Sequence, residues 1–325
     1  MKYFKSISLI FAIYGYLTFS CSSDDNKYEY IQKNQSFFEN FDLDSNSNFI
    51  KLSSGYTYYK SVNKNSNTTP IVLIHGFSVP SYIWDNTFNM LSEKGYYVIS
   101  LDLYGRGFSE NPVVDYTDEL FANQVLELLK KLQIKSAVFV GLSNGGRVIS
   151  KLTDINSSIV EKLIYVASSS FIFVDEIENK SVSNKEIKNF IQEFYSTISI
   201  SQMNDFKYPE NHIGWDKKYD ELLKYKGFAR ALISTRKNHF NMDKIHTKIQ
   251  NSNFPVFTIW GESDEVIVYE DFASRIDSIL PRRQQFFISE SGHLPHMENP
   301  YEFNKLILEI INTVSYTHLR AHETS

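Results

Sequence analysis

The segment from Gly141 to Gly145 carries the residues most suited to chemistry, because its serine stands in a G-x-S-x-G pattern. The apolar and mostly β-favouring run 137–140 precedes it, and a segment able to form a helix follows. A tight turn between strand and helix exposes the serine, and the glycines keep neighbouring side chains away. The pattern predicts a nucleophile at Ser143, which needs a base because a serine hydroxyl alone is a poor nucleophile.

Two further residues, Asp264 and His293, complete a candidate constellation with Ser143. Each of the three follows a predicted strand, and the loops after parallel strands converge on one edge of a sheet. Serine, imidazole and carboxylate are the groups of nucleophilic acyl transfer. Glu265 is an alternative acid and His296 an alternative base. The Gly-x-x-Asp spacing and the Gly-His pairing favour Asp264 and His293.

Six short apolar runs predict the buried strands that position these loops. They lie at residues 71–74, 97–101, 137–140, 163–167, 256–260 and 285–288. Segments with helical spacing accompany them at residues 83–93, 117–132, 271–279 and 301–313. This alternation predicts an α/β fold with a mostly parallel, doubly wound sheet and helices on both faces. An alternating run at 56–62, followed by a turn-rich loop, predicts an antiparallel hairpin at the edge of the sheet.

Residues 168–255 form a long insertion between two of these strands and lack strand alternation. Helical stretches are predicted around residues 185–195 and 216–234. An insertion of this size predicts a helical cap over the carboxyl ends of the strands.

The N-terminus has the features of an export signal. Lys2 and Lys5 precede an apolar run at 7–19, too short to span a bilayer, and then Cys21. The region predicts a lipoprotein-type signal peptide at 1–20, with Cys21 acylated as a membrane anchor, and resembles lipoprotein signals of the Bacteroidetes group. An ordinary secretory signal with an incidental cysteine is the alternative. Both place the body outside the cytoplasm, and the polar segment 21–48 predicts a tether.

Composition excludes several classes of function. The formal net charge is −5 and the pI is near 5.9, so no basic surface for nucleic acid is expected. Cys21 is the only cysteine, which excludes an internal disulfide framework and a cysteine-based metal site. The glycines at 105 and 107 fall short of a phosphate-binding pattern, and no metal or other cofactor is expected.

Several motifs together resemble the α/β-hydrolase superfamily over about residues 56–313. They are His75-Gly76-Phe77, Asp102-Leu-Tyr-Gly105-Arg-Gly107-Phe-Ser109, the Ser143 turn, Gly261-Glu-Ser-Asp264, and Ser291-Gly-His293 with Glu298-Asn-Pro300 behind it. The resemblance implies an α/β-hydrolase core at 49–167 and 256–314 with a helical cap at 168–255. The motifs are similar to those of capped serine hydrolases such as monoacylglycerol lipases, carboxylesterases and meta-cleavage-product hydrolases.

The resemblance also implies roles for the site residues. Ser143 would be the nucleophile, His293 the general base and then acid, and Asp264 the carboxylate that orients the imidazole. The backbone N–H groups of Phe77 and Asn144 would form the oxyanion hole. His75 and Asp102 would then be structural residues that hold the loops beside the site, and His296 a lining residue.

The expected function is hydrolysis of a small acyl or monoacylglycerol-like ester through an acyl-enzyme. A C–C bond hydrolase of the meta-cleavage type and a catalytically silent surface binding module are the alternatives. Serine at position 143 argues against the haloalkane dehalogenases and epoxide hydrolases of the superfamily, which use aspartate there. Cofactor-free perhydrolases and haloperoxidases share the serine triad and stay open.

The final segment, 315–325, departs from the Lys/Asn/Ile-rich character of the chain. It resembles the translated read-through of a sequencing-library adapter, so we expect an artefact there; a genuine polar tail is the alternative. His318 and His322 are therefore not counted as ligands.

Overall fold

One eight-stranded sheet forms the centre of the computed structural model, which describes residues 27–313. In chain order the strands are β1 (Ser47–Lys51), β2 (Tyr56–Val62), β3 (Ile71–Ile74), β4 (Val98–Leu101), β5 (Ala137–Leu142), β6 (Val160–Val166), β7 (Val256–Gly261) and β8 (Gln284–Ile288). The predicted signal peptide at 1–20, the Cys21 anchor and the predicted adapter sequence at 315–325 lie outside the described residues.

The strand order across the sheet is β1-β2-β4-β3-β5-β6-β7-β8. Strands β3 to β8 run parallel, and β1 and β2 form an antiparallel hairpin at one edge. The order reverses at β3, which pairs with β4 on one side and β5 on the other. Ligand sites of doubly wound sheets lie at the carboxyl ends of the strands where the order reverses. The α/β-hydrolase fold prediction is confirmed, and the ends of β3 and β5 are the expected place for the site.

Twelve helices lie within residues 27–313, besides several short 3-10 turns. They are α1 (Gln35–Glu39), α2 (Asp85–Glu93), α3 (Asp118–Lys131), α4 (Asn144–Ile155), α5 (Asn184–Phe194), α6 (Ile198–Ser201), α7 (Trp215–Asp220), α8 (Phe228–Lys237), α9 (Asp243–Gln250), α10 (Ala273–Ile279), α11 (Pro295–Glu298) and α12 (Pro300–Asn312). Helices α3, α4, α9 and α10 cover one face of the sheet, and α2 and α12 cover the other. The central strands are apolar on both sides because both faces are buried.

Helices α5 to α8 build the cap, which differs from the sequence prediction in two respects. The predicted helix at 216–234 is broken into α7 and α8, because Gly227 adopts a left-handed φ of 92° directly before α8. Helix α9 falls within the predicted cap range 168–255 but belongs to the core. Its Ile245 and Ile249 belong to the same hydrophobic cluster as residues of α3, α4 and α10. The Nε2 of His246 lies 3.1 Å from the Ser150 hydroxyl on α4.

The predicted tether at 21–48 is also corrected in its described part, where residues 28–33 form an arm bound to the cap. Glu29 and Ile31 donate backbone hydrogen bonds to Leu223 and Lys224, both at 2.8 Å. The buried ammonium of Lys33 continues the contact onto the core, donating to the carbonyl oxygen of Ser109 at 2.7 Å. The polar composition of the segment did not predict this structure, because the contacts are made with residues far away in the sequence.

The Glu29 carboxylate is the centre of this arm. It accepts hydrogen bonds from the Tyr195 hydroxyl at 2.6 Å, the Ala229 N–H at 2.7 Å and the Gly227 N–H at 2.9 Å. The two N–H groups belong to the start of α8, where a helix has unpaired donors and favours a negative charge.

We expect Glu29→Ala to lower the free energy of unfolding by about 1–3 kcal/mol, because it leaves these donors without their charged acceptor. Denaturant unfolding of the purified protein measures the change. Glu178→Ala, at an exposed position of the cap, is the matched control and should change stability by less than about 0.5 kcal/mol. Equal losses in the two variants would contradict a stabilising arm.

Candidate active site

Ser143 lies between β5 and α4 with φ 49° and ψ −113°, a conformation that is strained for a residue with a side chain. Its neighbours hold it there. The Ser143 N–H donates to the Val166 carbonyl at 2.8 Å, and its own carbonyl accepts from Gly146 at 3.0 Å and Ser169 at 3.2 Å. The side chain makes no capping bond to α4 and is partly exposed. The hydroxyl is therefore presented at the carboxyl end of β5.

The two glycines of the pattern are required by close backbone approaches. A Cβ at Gly141 would meet the backbone of Gly145, and a Cβ at Gly145 would meet the carbonyl oxygens of Ile74 and His75. The turn is thus pressed against the end of β3, so the G-x-S-x-G spacing reflects packing as well as access to the serine.

Asp264 and His293 follow β7 and β8 and meet in space. The Nδ1 of His293 lies 2.9 Å from Oδ2 of Asp264, and since a carboxylate only accepts, we assign the proton to Nδ1. The other carboxylate oxygen accepts from the N–H groups of Val266 and Ile267 at 2.9 and 2.8 Å. The Asp264 carboxylate is fixed on both sides, which orients the imidazole and leaves Nε2 of His293 as its unprotonated nitrogen.

Electrostatics favour a basic His293. Burial by itself would lower the pKa of the imidazole, but the charge of Asp264, together with those of Asp205 and Glu298, outweighs burial and raises the pKa above its usual value. A raised pKa makes His293 a stronger proton acceptor.

The two alternatives from the sequence are disfavoured by their positions. Glu265 is exposed, and the carboxylate on His293 belongs to Asp264. The Nε2 of His296 is 3.0 Å from the Ile83 carbonyl, and its ring packs 4.3 Å from that of Trp84. Burial lowers the pKa of His296 to about 3, so it is a neutral packing residue.

The residues expected to form the oxyanion hole lie beside Ser143. A Cβ placed on Gly76 would come within 3.4 Å of the Ser143 Cβ, so the loop after β3 passes directly alongside it. Asn144 is the first residue of α4, and a helix leaves its first N–H groups unpaired. The Phe77 N–H donates to none of the backbone carbonyls in the loops and turns of residues 27–313. Both groups are available as donors.

His75 and Asp102 make hydrogen bonds that hold this loop and its neighbours. The Leu103 N–H donates to Nε2 of His75 at 2.9 Å, and burial lowers the pKa of His75 to about 3. The Asp102 carboxylate accepts from the N–H groups of Ser81 and Phe108, both at 2.8 Å. These hydrogen bonds hold backbone segments in place and do not extend into the site.

Sequence reasoning missed Asp205, which the cap places against the histidine loop. Its backbone carbonyl accepts from the His293 N–H at 2.9 Å. Glu298 ties the same segments together, accepting from the N–H groups of Gly292 and Lys207, both at 2.7 Å. Burial raises the pKa of the Asp205 carboxyl to about 6, although the charge of His293 opposes the rise. Asp205 ends a single 3-10 turn of the cap, Gln202–Asp205, which is too short for a periodic pattern to mark it.

We expect Asp205→Asn to move the acid limb of the pH dependence of kcat/KM to lower pH. Removing this negative charge lowers the pKa of His293, so the base stays neutral in more acidic solution. On the plateau above the acid limb, kcat/KM should change by less than about tenfold. Glu210→Gln, in the exposed part of the cap, is the control. An unmoved acid limb would show that Asp205 does not act on His293.

Within residues 27–313, no group of three or more His, Cys, Asp or Glu side chains could hold a metal ion. Over the same residues, no helix has the length and apolar character needed to cross a bilayer.

Known proteins share this arrangement of strands and loops. A model of the alpha/beta hydrolase family matches residues 71–306. A Synechocystis protein named as a candidate non-heme chloroperoxidase is 35% identical over 252 residues, covering 74% of this chain and 91% of the relative. Lipase 3 of a Moraxella species is 24% identical over 261 residues, covering 77% of this chain and 79% of the lipase. The solved structure of a thermophilic esterase from Thermogutta terrifontis has a TM-score of 0.69 at 20% identity, covering 82% of this chain and 99% of that chain.

The chain therefore belongs to the alpha/beta hydrolase family, a family of hydrolases. The likeness to the solved esterase is one of fold.

Proposed function

We propose that this protein is a serine hydrolase that cleaves carboxylic esters of small or acyl-chain type. The observation that carries the proposal is the hydrogen bond between His293 and Asp264, on loops that share a sheet edge with the strained Ser143 turn. A lipase among the relatives supports ester hydrolysis in general.

In the proposed reaction, Nε2 of His293 takes the hydroxyl proton of Ser143 as Oγ attacks the ester carbonyl carbon. The Phe77 and Asn144 N–H groups stabilise the resulting oxyanion, and each such donor contributes about 3 kcal/mol. The intermediate collapses to an acyl-enzyme, and His293 gives its proton to the departing alcohol. Water then attacks the acyl group with His293 again as base, which releases the acid and restores Ser143. Asp264 stabilises the imidazolium in both halves.

The test is turnover of p-nitrophenyl esters from acetate to palmitate by protein that begins at residue 22. We expect hydrolysis, and the preferred chain length separates a small-ester enzyme from a monoacylglycerol-type lipase. Failure on every ester would overturn the proposal. Turnover of a vinylogous diketone acid would then indicate a C–C bond hydrolase, and no turnover at all a binding module.

We further propose that the protein is exported and anchored through an acylated Cys21. The charged start, the short apolar run and the cysteine after it support this location. The full-length protein should fractionate with membranes and its Cys21→Ser variant should not; equal distribution of the two would overturn the anchor.

A further inference from the structure

The arm at 28–33 shortens the chain between the proposed anchor and the domain. Cys21 and Lys27 are six residues apart, and an extended chain spans at most about 3.6 Å per residue. Cys21 therefore lies within about 22 Å of Lys27, where the arm begins. If the arm were not bound, the chain would be free as far as β1 at Ser47, and its reach of about 90 Å would permit any orientation of the domain.

The arm begins at the cap. The Tyr28 ring packs edge to face on the ring of Tyr195, directly after α5, with centroids 5.1 Å apart. Glu29 binds the Tyr195 hydroxyl and the start of α8, and the Ile31 N–H donates to the carbonyl of Lys224, between α7 and α8. A compact chain of this length is about 50 Å across. A membrane that holds Cys21 therefore lies on the side of the cap, because a tether of about 22 Å does not extend to the opposite end of the domain.

The same part of the molecule exposes large apolar side chains. Tyr30 of the arm is 56% exposed, Ile200 on α6 is 62% exposed, and Ile213, just before α7, is 91% exposed. These residues belong to neighbouring elements, since α6 packs on α7 and the segment that follows α7 pairs with the arm. Exposed apolar side chains that lie close together indicate a surface with an apolar partner, and tyrosine is enriched at the boundary between membrane and water.

We propose that this end of the cap, with Tyr30, Ile200 and Ile213, lies against the bilayer that holds the Cys21 anchor. The partner is a phospholipid surface, and the apolar side chains enter its headgroup region. The arm sets the orientation, because it binds the chain to the cap a few residues after the cysteine. The inference rests on the proposed anchor and goes beyond the proposed ester hydrolysis.

The experiment measures the contact of single fluorescent labels with lipid. Cys21 is the only native cysteine and the lipid occupies its thiol, so an introduced cysteine is the one labelling site. Full-length acylated Ile200→Cys and Ile213→Cys are labelled with the fluorophore NBD and reconstituted into vesicles of phosphatidylcholine and phosphatidylglycerol in equal parts. Part of the phosphatidylcholine carries a nitroxide quencher. Because interfacial apolar side chains lie about 5–10 Å deep, we expect at least about twofold quenching of both labels.

Ile155→Cys is the matched control, because Ile155 is also an exposed isoleucine but ends α4. Helix α4 begins at the carboxyl end of β5 and runs back along the sheet, so its end lies at the amino ends of the strands, opposite the cap. We expect no quenching of this label. Inserting about forty Gly/Ser residues between Asp25 and Asn26 removes the limit on reach, and it should lower the quenching of labelled Ile213→Cys toward that of Ile155→Cys.

The failure of the anchor and the failure of the orientation give different results. If the full-length protein does not float with the vesicles, the anchor is overturned and the orientation with it. If the protein floats but Ile213→Cys is quenched no more than Ile155→Cys, only the orientation is overturned. A label at position 213 that is already shielded from iodide in lipid-free Cys21→Ser protein would show that a second copy of the chain covers this surface instead. Quenching that persists after the Gly/Ser insertion would overturn the part of the arm.

Discussion

Replacing the serine of the strained turn is expected to have the largest effect: Ser143→Ala should lower kcat/KM for esters by at least about 10⁴-fold. Without Oγ no acyl-enzyme forms, and only the oxyanion donors and substrate binding continue to act. Alanine also carries a Cβ at φ 49°, so the strain of the turn is the same and the fold should be retained. Steady-state hydrolysis of p-nitrophenyl butyrate measures the loss. Intact mass after treatment with a fluorophosphonate should show labelling of the wild type only.

Ser150→Ala is the matched control, because this buried serine lies on α4, the helix that follows Ser143, but faces away from the site. Its hydroxyl contacts the Tyr165 hydroxyl at 2.9 Å and Nε2 of His246 at 3.1 Å. We expect retained fluorophosphonate labelling and a stability loss of about 1–2 kcal/mol. Labelling that survives Ser143→Ala would rule out this residue as the nucleophile.

The second large effect is expected from Asp264→Asn, which should lower kcat/KM near pH 7 by about 10⁴-fold, the size seen when a triad aspartate is changed in this way. The amide removes the charge that stabilises imidazolium and no longer fixes the proton on Nδ1. Because Oδ1 can still accept from Val266 and Ile267, the loop should keep its conformation.

The same variant should also change the pH dependence. The Asp264 charge is the main influence that raises the pKa of His293 against burial, so its loss lowers that pKa and shifts the acid limb of kcat/KM to lower pH. A rate profile from about pH 5 to 9 measures both effects. Glu265→Gln, at the exposed neighbouring position, should leave rate and profile unchanged. The acid would be misassigned if Glu265→Gln gave the larger loss.

Residues of the cap contact both the loop that carries His293 and the residue that follows Ser143. The backbone carbonyl of Asp205 holds the histidine loop, and His239 holds the side chain of Asn144 next to the nucleophile. Helix α8, which leads to His239, is in turn bound at its start by Glu29. A change in the cap or the arm can therefore alter the geometry of the reacting groups as well as the space for substrate.

The sequence by itself determined the parallel part of the sheet, β3 to β8, and the loops that carry the three candidate residues. Strands buried on both faces appear as continuous apolar runs, and the predicted runs match β3 to β8 to within a few residues. Because parallel strands end at a common edge, the loops that carry Ser143, Asp264 and His293 could be placed at one edge of the sheet from their positions after β5, β7 and β8. The structure joins Asp264 to His293 by a hydrogen bond. The G-x-S-x-G spacing has a local steric cause, so it could be recognised from the sequence.

Only the tertiary structure decided which residues outside the sheet reach the site. Asp205 and His239 lie in or beside short turns of the cap, where no hydrophobic periodicity indicates which way a side chain points. Each is hydrogen-bonded to a residue far away in the sequence. The arm at 28–33 has the polar composition of a tether, yet Glu29 binds the start of α8. Helix α9 belongs to the core, although it follows the cap directly in the sequence. These contacts depend on how separate segments pack, and packing between distant segments leaves no local pattern in the sequence.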